Sequence, residues 1–287
     1  MYKAYLSVTK PGIIFGNSVA LLGGFFLGAK IHGSIEILVL FSVLLGLSFV
    51  IASGCVFNNY IDRDIDVLME RTKKRVSVRG EIPCNVAMIY ASSLGLVGFL
   101  ILYIGTNLLT DLIALIGFFF YVIVYSLWFK RNSVHGTLIG GISGSVPPVI
   151  GYCAATNTFD AAAIILFSIL FFWQLPHFYA ISIYRIKDYK AASIPVLPAT
   201  KGIKYTKYAM FIYVLGFSIA ALMPYFFGFS SIIYGGAAFI MSLYWLYYAA
   251  IGLVCDNKPG FKDKQWARKM FIISIFILLI TCALWFF

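Results

Sequence analysis

Residues 58–75 read NNYIDRDIDVLMERTKKR, with four acidic and five basic side chains in one short run. The rest of the chain sets that run apart. Of 287 residues, 61% are hydrophobic, 18% are aromatic and only 11% are charged, and mean hydropathy is +0.92. Soluble domains carry roughly 25% charged residues. Composition therefore excludes a water-soluble globule and implies an all-α, polytopic membrane protein. A charged run between apolar stretches then marks a loop at the membrane surface.

Working outward from that loop, a membrane helix needs about 20 predominantly apolar residues. Nine stretches satisfy this, near 12–29, 36–57, 85–105, 112–129, 138–156, 161–180, 208–227, 230–253 and 268–287. The junction at Phe227–Ser231 is the weakest separator. No short apolar run with a small-residue cleavage site stands alone at the start, so the first span is not read as a cleaved signal peptide. Five scattered cysteines, Cys55, Cys84, Cys153, Cys255 and Cys282, show neither disulfide nor zinc spacing.

The formal net charge of +11 could suggest nucleic acid. Its placement favours membrane orientation instead. With nine spans, 21 of the 22 Lys and Arg residues fall on one side, and only Lys30 falls on the other. By the positive-inside rule that side is cytoplasmic, which puts the N-terminus inside and the C-terminus outside. The absence of an Arg/Ser-rich stretch before the first span points to a bacterial inner membrane. The long inside loops follow the second and sixth spans. This suggests one domain over 1–287, with parallel halves near 1–131 and 132–254 plus a last helix at 268–287.

Within the opening stretch Asn58, Asp62 and Asp66 recur every fourth residue. On a helix such residues advance only about 40° per step, so a continuous helix gathers all three on one face. Asn59 lies at the edge of that face and Asp64 points away. Carboxylates and an amide lined up at a helix end repel unless a cation binds them. Mg²⁺ suits them, because it takes oxygen ligands and completes its octahedron with water and substrate phosphates. Arg71, Lys73, Lys74 and Arg75 follow, as cations that could face a phosphate. Together these residues read as a diphosphate site. The basic run is equally consistent with simple positive-inside bias.

The pattern N-(D/N)-x-x-D-x-x-x-D after the second span resembles the UbiA superfamily of intramembrane prenyltransferases. That resemblance implies an enzyme binding an isoprenoid diphosphate through Mg²⁺, with Asn58, Asn59, Asp62 and Asp66 as metal ligands. Asn59 stands where many members have Asp. Most members carry a second Asp-rich motif after the sixth span. Here that stretch reads FFWQLPHFYAISIYRIKDYKAASIPVLP, with Asp188 as its single acid. Its WQLPHF, KDY and IPVLP segments resemble the haem-farnesylating branch of the superfamily. So do TKPGIIFGN at 9–17, ASGCVFNNYIDRDID at 52–66, ERTKKR at 70–75, YSLWFKR at 125–131 and GSVPPVIGY at 144–152.

Membership of that branch implies transfer of farnesyl from farnesyl diphosphate to a vinyl group of haem b, with water addition, giving haem O. Arg71, Lys73, Lys74, Arg75, Arg185 and Lys187 are then diphosphate contacts, and Asp188 a further metal ligand. Tyr121 and Tyr125, four apart on the fourth span, are candidates to stabilise the allylic cation. His177 is a candidate haem contact, either as axial ligand or as donor to a propionate or diphosphate. Lys130, Arg131 and His135 are candidates for haem propionates. A haem A synthase or a terminal oxidase assembly is a candidate partner, and no nucleic acid is expected. Pro147 and Pro148 read as a helix kink without a ligand. A quinone or aromatic prenyltransferase would explain the first motif but favours a second D-x-x-x-D. A transporter would place its ionisable residues near mid-membrane.

Overall fold

The computed structural model describes residues 2–256 and 259–285. Lys258 of the inside set and the last two positions of the expected ninth span lie outside the described residues. Among the described residues, nine helical stretches are long and apolar enough to cross a membrane, and no strand occurs.

A short helix α1 (Tyr2–Val8) precedes the first span, α2 (Pro11–His32), and the second, α3 (Ile37–Ile61). The first inside loop holds two short helices, α4 (Arg63–Asp66) and α5 (Val76–Arg79). The third span is α6 (Cys84–Gly105). The fourth is composite: α7 (Leu108–Phe119), a π-helix (Phe120–Phe129) and α8 (Lys130–Asn132). The fifth is broken at Ser145 into α9 (Gly136–Gly144) and α10 (Val146–Thr156). The sixth, α11 (Ala161–Tyr184), leads to the second long loop with α12 (Ile186–Ala191) and α13 (Leu197–Thr200). The last three spans are α14 (Ile203–Phe226), α15 (Ile232–Val254) and α16 (Asp263–Leu284).

The observed helices overrun the hydropathy boundaries where their first turns are polar. α14 begins at Ile203 rather than 208, and α16 at Asp263 rather than 268. These turns stay helical because their charges pair. Lys207 is fully buried, bonded to Asp256, 2.5 Å from Asp263, and 4.8 Å from the Phe261 ring. The weak junction at Phe227–Ser231 is a real turn, with Gly228 at φ 75° and Ser231 capping α15.

Lipid tails are as apolar as Leu, so membrane helices associate through close packing rather than hydrophobic exclusion. Small residues provide that closeness here. A Cβ on Gly24 of α2 would overlap the Pro148 backbone of α10, and one on Gly151 would overlap the Leu21 and Phe25 backbone. Gly46 and Gly98 do the same for α3 against α6. Pro147 and Pro148 lie in the first turn of α10, where a missing N–H costs little. The break leaves the Gly141 carbonyl to accept from Ser145 Oγ at 2.7 Å and Gln174 Nε2 at 2.6 Å. Large apolar side chains such as Leu38, Leu96 and Ile240 face outward, as a lipid-facing surface requires.

At one end of the bundle the two long loops meet. Met69 packs with Ala192, Ile194 and Val196, flanked by Ile65 and Tyr189. This cluster roofs the helix ends on the cation-rich face.

Gly151→Val should destabilise the bundle, since its side chain has no space between α2 and α10. Overpacking costs about 1–3 kcal/mol, so thermal unfolding in detergent should show a lower Tm than for Gly236→Ala, at a site with open space around it.

Candidate active site

A cavity of about 530 Å³ opens beneath the loop roof. Its end nearest the loops is polar, with Lys10, Asn58, Asp66, Arg71, Arg75 and Lys130 on its wall. Its depth is apolar, lined among others by Leu47, Val50, Phe118, Ile150 and Leu170. Such a cavity suits a molecule with an anionic head and a hydrocarbon tail.

One continuous helix carrying Asn58, Asp62 and Asp66 does not form. α3 ends at Ile61, Asp62 has φ −90° and ψ 1°, and α4 starts at Arg63. The cause is Arg131: its guanidinium donates to the Ile61 carbonyl, the acceptor that the Ile65 N–H would otherwise use. Ile65 N–H turns to the Asp62 carbonyl instead, at 3.1 Å. Arg131 also grips Asp64 with two bonds of 2.7 and 2.6 Å. It is therefore a clamp on the end of α3, and it does not line the cavity. Asp64 is exposed, and its bond to Arg131 holds its carboxyl below the usual range.

Asn58 and Asp62 nevertheless stay in contact, and Asn58 and Asp66 both line the cavity, whereas Asp62 is buried beside Asn58 and does not itself line it. Asn58 Nδ2 donates to Asp62 Oδ2 at 2.7 Å and to Ser126 Oγ at 3.1 Å. Its Oδ1 accepts from Lys10 Nζ at 2.7 Å. Asp62 is fully buried and paired with Lys130, with Arg131 3.8 Å away. Asp66 is paired with Arg75 at 2.6 Å. Two buried carboxylates thus each hold a cation from another segment, as their burial demands.

The fourth span explains why Lys130 reaches Asp62. In the π-helix, hydrogen bonds run from i+5 to i, so the Lys130 N–H bonds the Tyr125 carbonyl. Tyr121 stacks on Tyr125, four residues on, with centroids 6.1 Å apart and planes at 19°. Lys130 Nζ lies 6.0 Å from the Tyr125 ring. Gly54 and Gly140 back the two rings, where a Cβ would sit 3.0–3.1 Å from them. Both tyrosines line the cavity. π-segments of this kind occur often at functional sites.

The far wall comes from α11 and α16. Trp173, Gln174, His177 and Phe178 line it together with Leu278. Trp173 stacks on His177 with centroids at 4.7 Å, and Phe271 lies at the same distance. Tyr189 and Pro195 contribute from the second loop. Burial raises the Tyr189 phenol, which keeps it protonated as a donor.

Several expected residues lie elsewhere. Lys73 pairs with Glu70 at the surface, and Lys74 is exposed. Arg185 lies over Tyr184 and 4.0 Å from Asp188. Lys187 and His135 are exposed. Lys73, Lys74, Arg185, Lys187, Asp188 and His135 do not line the cavity. Lys73, Lys74, Arg185, Lys187 and His135 turn to water, where charge is solvated at no cost, while Asp188 is largely covered beside Arg185. Asn59 is buried but turned away, donating to the Val8 carbonyl at 2.8 Å.

Other residues enter the site unannounced. Lys10 sits at φ 54° directly before Pro11, a left-handed conformation that is costly for a residue with a Cβ. Its sequence signals were a lysine heading the first span and its place in the TKPGIIFGN segment, neither of which assigned it a role. Ser126, Gln174 and Tyr189 carried no periodic signal. Lys10 is half-buried, and burial lowers its ammonium to about 8.

No three His, Cys, Asp or Glu side chains form a metal cluster among the described residues. The donors present still fit Mg²⁺ shared with a substrate. The ion uses one or two carboxylates plus phosphate oxygens, and buried Asp62 Oδ1 has no hydrogen-bond partner.

Comparison with known proteins agrees with this geometry. The sequence pattern described as the UbiA prenyltransferase family matches residues 18–275. A protoheme IX farnesyltransferase of Yersinia pseudotuberculosis is 54% identical over 96% of this chain and 91% of its own. A solved digeranylgeranylglyceryl phosphate synthase superimposes with a TM-score of 0.81 at 22% identity, covering 99% of this chain and 98% of its own. A UbiA homolog from Archaeoglobus fulgidus, solved with DMAPP and Mg²⁺, gives 0.69 at 16% identity, covering 99% of each chain.

Lys10 is charged below about pH 8 and neutral above it. Affinity for inorganic diphosphate, measured by calorimetry, should therefore fall as pH rises through that value. Lys10→Arg should remove this limb, because guanidinium stays charged. An unchanged limb in Lys10→Met would assign it to another group.

Proposed function

This chain belongs to the UbiA prenyltransferase family, and we propose that it transfers the farnesyl group of farnesyl diphosphate to a vinyl group of haem b. Water addition completes the product, haem O, and diphosphate leaves. The observation that carries this reading is 54% identity across 96% of the chain to a protoheme IX farnesyltransferase. The cavity's chemistry supports it. A quinone or aromatic prenyltransferase is disfavoured, since the second loop presents Tyr189, Ile194 and Pro195 to the cavity and no carboxylate.

The diphosphate would sit at the polar end between Lys10, Arg71, Arg75 and Lys130, with its farnesyl chain in the apolar depth. Asn58, Asp62 and Asp66 would hold Mg²⁺. When bound, the ion neutralises charge developing on the leaving diphosphate. Lys130 and Arg75 now neutralise the two carboxylates. An incoming diphosphate with its metal would release both cations to face phosphate oxygens.

Loss of diphosphate leaves an allylic cation, which survives only where nucleophiles are scarce. The stacked faces of Tyr121 and Tyr125 stabilise such a cation, and the Met69–Ile194 roof holds bulk water away. Haem b would enter against the Trp173–His177 wall, presenting its vinyl carbon to that cation. By the positive-inside rule the roofed end faces the cytoplasm, and we place the chain in a bacterial inner membrane.

Asp62→Ala and Asp66→Ala should each lower kcat by about 10²–10³-fold, the usual loss when a stabiliser of transition-state charge goes. Asp64→Ala should be far milder, because Asp64 is exposed and bonded to Arg131, whereas Asp62 is buried against the cavity-lining Asn58 and Lys130. Equal losses at Asp62 and Asp64 would remove the distinction drawn here. Incubation with haem b, farnesyl diphosphate and Mg²⁺, followed by mass spectrometry of extracted haems, should show the hydroxyethylfarnesyl adduct. Chelation should abolish it. A prenylated aromatic formed from quinone precursors instead would keep the family and discard this acceptor.

A further inference from the structure

Behind the cavity wall, His177 Nδ1 lies 2.7 Å from Ser274 Oγ of α16. Ser274 Oγ is also 2.6 Å from the Phe271 carbonyl. A carbonyl only accepts, and a serine hydroxyl has a single proton. With that proton on the shorter bond, to the Phe271 carbonyl, the serine oxygen accepts from His177 and Nδ1 carries the hydrogen. The aromatic rings packed on His177, from Trp173, Phe178 and Phe271, offer no anion to hold an imidazolium. In the neutral ring Nε2 is then bare. It makes no hydrogen bond within the described residues and is not among the atoms sealed by packing. His177 itself lines the cavity.

We infer that Ser274 locks His177 in the Nδ1–H tautomer, so that Nε2 faces the cavity as the axial ligand of the substrate's haem iron. This rests on haem b being the acceptor. Metal-binding histidines generally donate their other ring N–H to a fixed oxygen, which orients the ring and raises its basicity. Here that oxygen is itself fixed by its bond to Phe271. Ser274 is fully buried, and its backbone carbonyl accepts from Trp173 Nε1 at 2.7 Å. The same turn of α16 therefore holds both the histidine and the indole stacked on it. Ser274 is a positioning residue, and His177 is the group that touches substrate.

A ligand here would do two things for the reaction. It would set the porphyrin's depth against the α11 wall, and it would fix which edge of the macrocycle approaches Tyr121 and Tyr125.

The test is spectroscopic, on full-length protein in detergent titrated with ferric and dithionite-reduced haem b. Wild type should give a histidine-ligated Soret band and an iron–nitrogen stretch in resonance Raman. His177→Gly should lose both and regain them with added imidazole, while metal-free protoporphyrin binds both proteins equally. Ser274→Ala keeps the backbone bond to Trp173. It should retain ligation with a lowered iron–nitrogen stretch and about 10-fold weaker haem binding, and Ser274→Thr should restore both. Unchanged spectra in His177→Gly, from protein whose wild type makes farnesylated haem, would overturn the ligand and leave the reaction standing. A Ser274→Ala stretch equal to wild type would overturn the tautomer lock. Wild type that neither binds haem nor farnesylates it would remove the proposed reaction and this inference with it.

Discussion

The polar end of this bundle is organised around Asp62, a carboxylate that is fully buried. A buried carboxylate without partners costs several kcal/mol. Asp62 therefore gathers Asn58 from its own helix and Lys130 from the end of the fourth span. Asn58 in turn binds Lys10 at the head of α2. Asp66 repeats the arrangement with Arg75. These contacts tie α2, α3, the fourth span and the first loop at one point. The same cations that make the resting site stable are those an incoming diphosphate would use.

The π-helix in the fourth span follows from this demand. An ordinary helix would keep Tyr121 and Tyr125, four apart, on one face but would rotate Lys130, five beyond Tyr125, well away from it. The wider turn places Tyr121, Tyr125 and Lys130 along one strip facing the cavity, and Ser126 on Asn58. Glycines at 54 and 140 provide the space the rings need. Local irregularity here is set by the site, since the flanking sequence is apolar enough to continue as a regular helix.

The two walls of the cavity are chemically distinct. The α2–α3 side with the fourth-span end carries cations, carboxylates and phenols. The α11–α16 side carries indole, imidazole and aliphatic carbons. One accommodates charge that develops and leaves, the other a broad apolar surface. Two substrates of different character can thus meet without either occupying the other's wall.

Hydropathy and charge placement in the sequence were enough for the nine spans seen among the described residues and for the charged loops between them, because each is a property of contiguous residues and the dielectric around them. Asn58, Asp62 and Asp66 were legible as a group, although the helix that was to align them stops at Ile61, where Arg131 takes its carbonyl. Loop charges such as Lys74, Arg185 and Lys187 could not be sorted from cavity charges, since periodicity does not say which loop face meets water. Lys10 and Asn58 are 48 residues apart, and His177 and Ser274 are 97 apart. Local pattern determined which helices this chain makes and where its charge resides. Only tertiary packing decided which polar atoms meet, because a buried donor or acceptor takes its partner from whatever segment the fold brings within 3 Å or so.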